Sequence, residues 1–287
     1  MTNKYSIKDL RHDFPGEKEC VEFIFDTLHT RKCSCGGVYK QLEGRRQFQC
    51  SKCRFQIAPT SGTIFHKSST PLTLWFYAIF IFSSSKSGIS AKGLQRQLGV
   101  TYKCAWRMLT LIRGALKQDK KLLRGDVESD QAYFGGVYKA GANNKNLKAS
   151  FAAKSAVMGA VERGGKMRVK VIPDMTAETI NKFLKENVET EAGRLLTDKS
   201  KGFSRAWGYA RYSVDHNRGE YVRGDIYVNN IEAFWSHLKR SIKGTHKVIS
   251  RKYLQSYLDG FVFHYNNRYS DKGRFSALLG ALLQPAS

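Results

Sequence analysis

The chain has 287 residues and carries 48 Lys and Arg against 24 Asp and Glu, a formal charge of +24 with a pI near 9.9. Basic residues spread over the whole length call for a polyanionic partner, nucleic acid above all, because neutralised phosphates release their condensed counterions. No apolar run reaches the roughly 18 residues of a membrane span, and the polar opening Met1 to Tyr5 has no signal-peptide pattern, so a soluble intracellular protein of about two domains is expected.

Residues 16 to 28 carry Val21, Ile24, Phe25 and Leu28 at helical spacing, which predicts a small helix. Cys33-x-Cys35, fourteen residues and then Cys50-x2-Cys53 follow it. Two close thiol pairs on either side of a span long enough for a β-hairpin suit one tetrahedral zinc ion. Two disulfides or unligated thiols are the competing arrangements, the disulfides disfavoured in a reducing cytosol. Because the first pair is C-x-C, His29 could also stand in for one sulfur. Cys20 and Cys104 fall in apolar helical patterns and are expected as buried structural thiols. Residues 1–60 therefore read as an N-terminal helix and a zinc ribbon.

Pro71 to Phe82 is an apolar helix too short for a membrane and expected in a core. From Ser90 to Leu116 the pattern becomes two helices joined at Gly99-Val100, the second capped by Thr101 and burying Ala105, Leu109, Ile112 and Leu116. Periodicity alone fits a plain helical hairpin as well as a helix-turn-helix. The adjacent zinc pattern and the positive charge favour the DNA-binding form, which would offer Lys103, Arg107 and Arg113 to DNA. The basic run Lys117 to Arg124 closes this part, so residues 61–124 are taken as a helical, helix-turn-helix-like DNA-binding region and 125–287 as the second domain.

Asp126 to Phe134 reads as a strand whose period of two puts Asp126, Glu128 and Asp130 on one face, a pattern suited to a metal site. Gly135 to Leu147 is a loop basic enough to touch a phosphate. Residues 154 to 172 predict a hairpin turning at Gly164-Gly165. Thr176 then caps a helix with Ile180, Phe183, Leu184 and Val188 inward; Arg194 to Asp198 is a short strand ending in an acid; 203 to 210 is a second short helix; Arg211 to Asp215 is another strand. Next, Ile231, Phe234, Trp235, Leu238 and Ile242 form the buried stripe of a helix, with Glu232, Ser236, Lys239 and Lys243 on the outward face. Taken alone, Asn230 there is a cap and Glu232 a dipole-compensating acid. His216 and His246 lie in polar loops and could contact substrate, although a solvated histidine is the more usual outcome, and the stripe from Tyr253 to Tyr265 reads as core packing. Three antiparallel strands followed by alternating helix and strand describe an α/β fold, a mixed sheet flanked by helices. That order matches the ribonuclease H-like architecture, whose active site gathers acids from the first strand, the end of the fourth strand and a following helix.

The stretches Val127-Glu-Ser-Asp-Gln-Ala-Tyr-Phe-Gly-Gly136, Gly159-Ala-Val-Glu-Arg-Gly-Gly165, Leu196-Thr-Asp198, Asn229-Asn-Ile-Glu-Ala-Phe-Trp-Ser-His-Leu-Lys-Arg240 and Phe263-His-Tyr-Asn-Asn-Arg268 together resemble the DDE-type transposases of bacterial insertion sequences. Within that family the chain is similar to the ISXO-like group, which carries a zinc ribbon ahead of the catalytic domain. The resemblance spans about residues 30 to 280. It implies cleavage and joining of transposon ends by a ribonuclease H-like domain holding two Mg²⁺ or Mn²⁺ ions, with one structural Zn²⁺ at Cys33, Cys35, Cys50 and Cys53. It makes Asp130, Asp198 and Glu232 the metal-holding acids and Lys239 the basic residue two turns later, which with Arg240 and Lys243 would face the DNA backbone. Implied partners are double-stranded DNA, as terminal inverted repeats and as target, and further copies of the chain in a homodimer or larger assembly. The implied location is cytoplasmic, on the bacterial nucleoid.

Gln131 and Ala132 stand where the family usually has Glu and Thr, and Tyr227-Val228-Asn229 replaces His-Thr-Asn. Glu128 reads as an outer acid or a charged neighbour, Asp215 as the alternative second acid, and Asn266, Asn267 and Arg268 as residues that orient the Glu232 helix. Two other classes fit parts of the chain: a non-catalytic zinc-ribbon and helix-turn-helix DNA-binding regulator, and a ribonuclease H-like nuclease without joining activity.

Overall fold

The structure, a computed structural model, describes residues 4–135, 154–191, 193–203, 206 and 208–284. It falls into two compact units, one from Met1–Leu116 with Asn267–Ser287 and the other from Lys117–Asn266. Among the described residues no helix is long and apolar enough to cross a membrane.

In the first unit, α1 (Ile7–Asp13) opens on a reciprocal capping box between Ser6 and Asp9. The predicted helix α2 (Glu17–Leu28) buries Cys20, Val21, Ile24 and Phe25. Phe25 stacks on Phe48 at 3.8 Å between ring centroids, which lays α2 on a three-stranded antiparallel sheet of β1 (Tyr39–Gln41), β2 (Phe48–Cys50) and β3 (Gln56–Ile57). Apolar α3 (Leu72–Ser84) is a core helix, as its sequence requires. Helices α4 (Ala91–Leu98) and α5 (Tyr102–Ala115) are capped by Ser90 and Thr101 and separated by Gly99 at φ 67°, a left-handed turn that glycine adopts without a Cβ penalty.

The end of the chain departs from the expected boundary. Helix Asp271–Leu283 belongs with this unit and not with the second domain drawn at 125–287. Phe275 stacks on Tyr5 at 4.8 Å, and buried Arg274 donates to the Ser83 carbonyl at 3.0 Å. These partners lie far upstream in sequence, so the periodicity of the segment itself cannot reveal them.

The second unit is a mixed five-stranded sheet ordered β6-β5-β4-β7-β8. Strands β4 (Val127–Phe134), β5 (Ser155–Glu162) and β6 (Met167–Ile172) form the predicted antiparallel meander, and Gly164 at φ 73° makes the hairpin turn. Helix α6 (Ala177–Asn187) leads to β7 (Arg194–Asp198), which runs parallel to β4, and β8 (Ala210–Val214) runs parallel to β7. Where a short helix was expected at 203 to 210, a 3-10 turn ends at Phe203 and β8 opens at Ala210. Most of the expected basic loop 135 to 147 lies outside the described residues.

Alternating residues of the sheet feed two apolar layers. Met158, Ala160, Ile180, Phe183 and Leu195 pack on the α6 side, and Val157, Val161, Leu196, Ile231, Trp235 and Phe261 on the side of α7 (Asn229–Ser241) and α8 (Arg251–Asn266). The free edge of β6 is sealed by amide side chains that imitate a neighbouring strand. Asn266 exchanges two hydrogen bonds with the Met167 backbone (2.8 and 3.1 Å), Gln118 two with Val169, and Gln255 accepts from Val171 N at 2.8 Å. Asn266 therefore closes an edge.

Gly159 on β5 lets α7 lie directly on the sheet: a Cβ there would stand 2.7 Å from the Trp235 ring and 2.9 Å from Ile231. Gly159→Val is accordingly expected to destabilise the protein by about 1–3 kcal/mol, read as a lowered denaturant midpoint. An unchanged midpoint would show that α7 has room to move.

Candidate active site

Strand β4 is central, and the three alternating acids at its start and along it, Asp126 just before the strand and Glu128 and Asp130 within it, meet three different fates. Asp126 is paired with Arg194 (2.5 Å), which holds its carboxyl below the usual carboxylate range. Glu128 is fully buried, at 0% exposure. Asp130, the partner of Gly159 across β4 and β5, points to the face that α7 covers.

The parallel register Val127 with Leu195 and Glu128 with Leu196, continued by two residues, carries Asp130 alongside Asp198 at the end of β7. Adjacent strands are about 4.8 Å apart. Glu232 joins from the first turn of α7, whose Ile231 and Trp235 press on Gly159. The effect is visible in Asp130, whose carboxyl is pushed up to about 6, first by burial and then by the negative charges of Asp198 and Glu232. The buried indole Nε1 of Trp235 approaches the same carboxyl without closing a hydrogen bond of normal geometry. Among the described residues no three of these carboxylates bring oxygens within 4.8 Å of one another. Hard oxygen donors whose charges repel are a set that a divalent cation would draw together and neutralise, so the donor chemistry fits Mg²⁺ or Mn²⁺.

The surroundings of these acids differ from the sequence reading in three ways. Helix α7 begins at Asn229 after Val228, which supplies no side-chain cap, so Asn230 is not the cap. Instead Glu128 Oε2 accepts from the backbone amides of Asn230 (2.8 Å) and Ile231 (3.3 Å), and Glu128 Oε1 from Asn230 Nδ2 (2.7 Å) and Arg163 Nε (3.0 Å). His216 is not a solvated loop residue: its Nδ1 lies 3.4 Å from Glu232 Oε1 and its ring rests on Tyr221. Asp215, the alternative second acid, is one strand further from β4 and is occupied by Lys199 (3.3 Å) and Arg218 (3.5 Å). His246 is half-buried, packing edge-on against Tyr257 and Phe261.

Two of these partners were not singled out for the site by sequence reasoning. Arg163 binds residues 35 to 64 positions away, which leaves no local signal. Trp235 was visible only as a member of the buried stripe.

Lys239 is exposed on α7, seven residues after Glu232 and hence on the same ridge about 10 Å along the axis. Arg240 is also exposed, and Lys243 is exposed in a π-helical turn, Ile242–His246, that follows α7. In the first unit Lys103 and Arg107 are exposed on α5 beside exposed Tyr102 and Trp106. Arg113 is a correction: it is 7% exposed and donates to the Ile89 carbonyl at 3.2 Å, so its guanidinium is spent inside the unit.

The four cysteines gather without help from His29, which packs against Phe25. Cys33 and Cys53 sulfurs lie 3.7 Å apart, Cys35 and Cys50 3.4 Å, and all four within 4.8 Å of one another. A tetrahedral ion with Zn–S bonds of about 2.3 Å sets its sulfurs about 3.8 Å apart, so the donor set and spacing fit zinc. The Tyr39 hydroxyl and the Cys35 backbone amide draw the Cys33 thiol down to about 6, toward the thiolate that a metal binds. Cys20 behaves as expected of a buried structural thiol, pushed up to about 12 by burial.

Comparison with known proteins places this geometry in context. The family described as the ISXO2-like transposase domain matches residues 122–266. An uncharacterised protein in the transposable element ISH50 of Halobacterium salinarum is 24% identical over 238 residues, covering 78% of this chain and 79% of that protein.

The burial of Asp130, with other acids nearby, predicts a measurable instability. Asp130 ionises near 6 in the fold against an ordinary value near 3.8, so its contribution to stability is complete below about pH 4 and is lost as pH rises through 6. In protein freed of divalent cations, Asp130→Asn should therefore stabilise by up to about 3 kcal/mol at pH 7.5 and by almost nothing at pH 4. Thermal melts at the two pH values check this; a gain that does not depend on pH would refute it.

Proposed function

The chain belongs to the family of ISXO2-like transposases, and from that premise we propose that it is a DNA transposase whose metal-dependent chemistry is carried by Asp130, Asp198 and Glu232. The single observation that carries this reading is the packing that turns three acids toward one place: Asp130 and Asp198 lie side by side on parallel strands, and Glu232 sits in the first turn of the helix that rests on Gly159, the cross-strand partner of Asp130. In a chain of net charge +24, three carboxylates brought together call for a specific cationic partner.

The second unit we read as ribonuclease H-like, from its antiparallel meander followed by two parallel strands. Two Mg²⁺ or Mn²⁺ ions held by the three acids would supply Lewis acidity to the attacking and leaving oxygens of an in-line phosphoryl transfer. Asp130 and Asp198 offer oxygens from adjacent strands and Glu232 closes the set from α7. No protein nucleophile is needed. In cleavage, water adds to phosphorus as the P–O bond to the transposon 3′ oxygen breaks; in joining, that freed 3′-hydroxyl attacks a target phosphodiester and displaces its 3′ oxygen. Lys239, with Arg240 and Lys243, fixes the backbone of the transposon end beside the acids. Helices α4 and α5 are read as a helix-turn-helix that presents Lys103 and Arg107 to duplex DNA, and the four cysteines as the site of one structural Zn²⁺. Because two ends must be brought to one target, the working form is proposed to be a homodimer or larger.

Purified protein given labelled transposon ends and Mg²⁺ should yield cleaved and joined products, and Asp130→Ala, Asp198→Ala and Glu232→Ala should each reduce them below detection. Any one variant retaining activity would remove that residue from the site. Lys239→Ala should weaken end binding uniformly across sequences and lower its salt slope by about one, leaving divalent-metal binding intact. Metal analysis should find one equivalent of zinc, lost from the Cys33→Ser, Cys35→Ser double variant.

A further inference from the structure

Glu128 is the one carboxylate of β4 with no exposure at all, and both of its oxygens are saturated. Oε2 receives two backbone amides at the start of α7, and Oε1 receives the Asn230 side chain and Arg163. It has no lone pair left for a metal, which separates it from Asp130 two residues along the same strand face. Arg163 extends the same clasp. Beyond Glu128 it donates to the carbonyls of Asp225 (2.9 Å) and Tyr227 (3.0 Å), and its guanidinium lies 3.7 Å from the Tyr227 ring centroid. The segment running into α7 and the first turn of α7 are thus tied to one point on β4.

That point lies close in sequence to two of the proposed metal ligands. Asp130 follows Glu128 by two residues on the strand, and Glu232 follows Asn230 by two residues on the helix. A shift at the clasp therefore becomes a shift in the distance between Asp130 and Glu232. We propose that Glu128 is a positioning residue: with Arg163 it sets the start of α7 against β4 and so holds Glu232 at the place where it shares a divalent cation with Asp130. This inference rests on the reading of the acids as a metal site.

Glu128→Gln keeps size and shape but turns one acceptor into a donor that faces donors on every side. Asn230→Ala removes a single hydrogen bond of the clasp and leaves the backbone amides in place. Mn²⁺ binding by the full chain, followed by electron paramagnetic resonance, is the readout, with Asp130→Asn marking the part of the signal that belongs to the acids. Folded Glu128→Gln, as judged by circular dichroism and melting, should bind that Mn²⁺ about tenfold or more weakly than wild type, and Asn230→Ala should weaken it in the same direction by less. Wild-type affinity in folded Glu128→Gln would overturn the proposal. Should Glu128→Gln not fold, wild-type affinity in Asn230→Ala would do so. If wild-type protein shows no Mn²⁺ binding that depends on Asp130, it is the metal-site reading itself that fails.

Discussion

A carboxylate buried without water is normally a liability, because taking it out of solvent costs several kcal/mol unless hydrogen bonds and an opposite charge replace its hydration. Glu128 meets that condition through the first amides of α7, the Asn230 side chain and the Arg163 guanidinium. The amides at a helix start have no partner within the helix, and Val228 supplies no cap, so strand and helix each satisfy the other's need. The helix bearing Glu232 is consequently fixed to the sheet by a charge-assisted contact at one end and, one turn later, by the close approach of Trp235 to Gly159.

The rest of the acid site follows from that attachment. A helix held this near the sheet brings Glu232 toward Asp130 and Asp198 on neighbouring strands, and burial first, then the like charges, raise the Asp130 carboxyl. The fold therefore carries an electrostatic cost at the place proposed for chemistry, offset elsewhere by apolar layers on both faces and by the amides that seal the β6 edge. Basic residues act at the periphery. Lys239 and Arg240 stay exposed, whereas Arg163, Arg194 and Arg274 serve internal contacts, so the +24 total overstates the cations available to a polyanion.

Features governed by local pattern were legible in the sequence. The stripe of α2, the cysteine spacing, the turn at Gly164, the cap at Thr101 and the order of strands and helices all depend on residues within a few positions of one another. The acids Asp130, Asp198 and Glu232 are candidates because of motifs and their order, and their roles remain proposed. What could not be read depends on distant partners. Asn230 has the composition of a cap, yet it serves Glu128 a hundred residues earlier. Arg113 sits on α5 at a position that looked accessible until the Ile89 carbonyl closed over it. The last helix joins the first unit through residues far upstream, among them Tyr5, Phe80 and Ser83, which its own periodicity does not reveal. Of the three acids that period two places together on β4, sequence cannot tell the metal candidate from the arginine-paired Asp126 and the clasped Glu128, because the distinguishing groups lie on other elements.

The most direct measurement of the central claim is anomalous scattering from crystals of the full chain grown with Mn²⁺ and a duplex carrying the transposon end. Manganese peaks should lie between the carboxylates of Asp130, Asp198 and Glu232, with Glu128 outside coordination distance. Manganese bound elsewhere, or coordinated by Glu128 or Asp215 in place of Asp130 or Asp198, would contradict it.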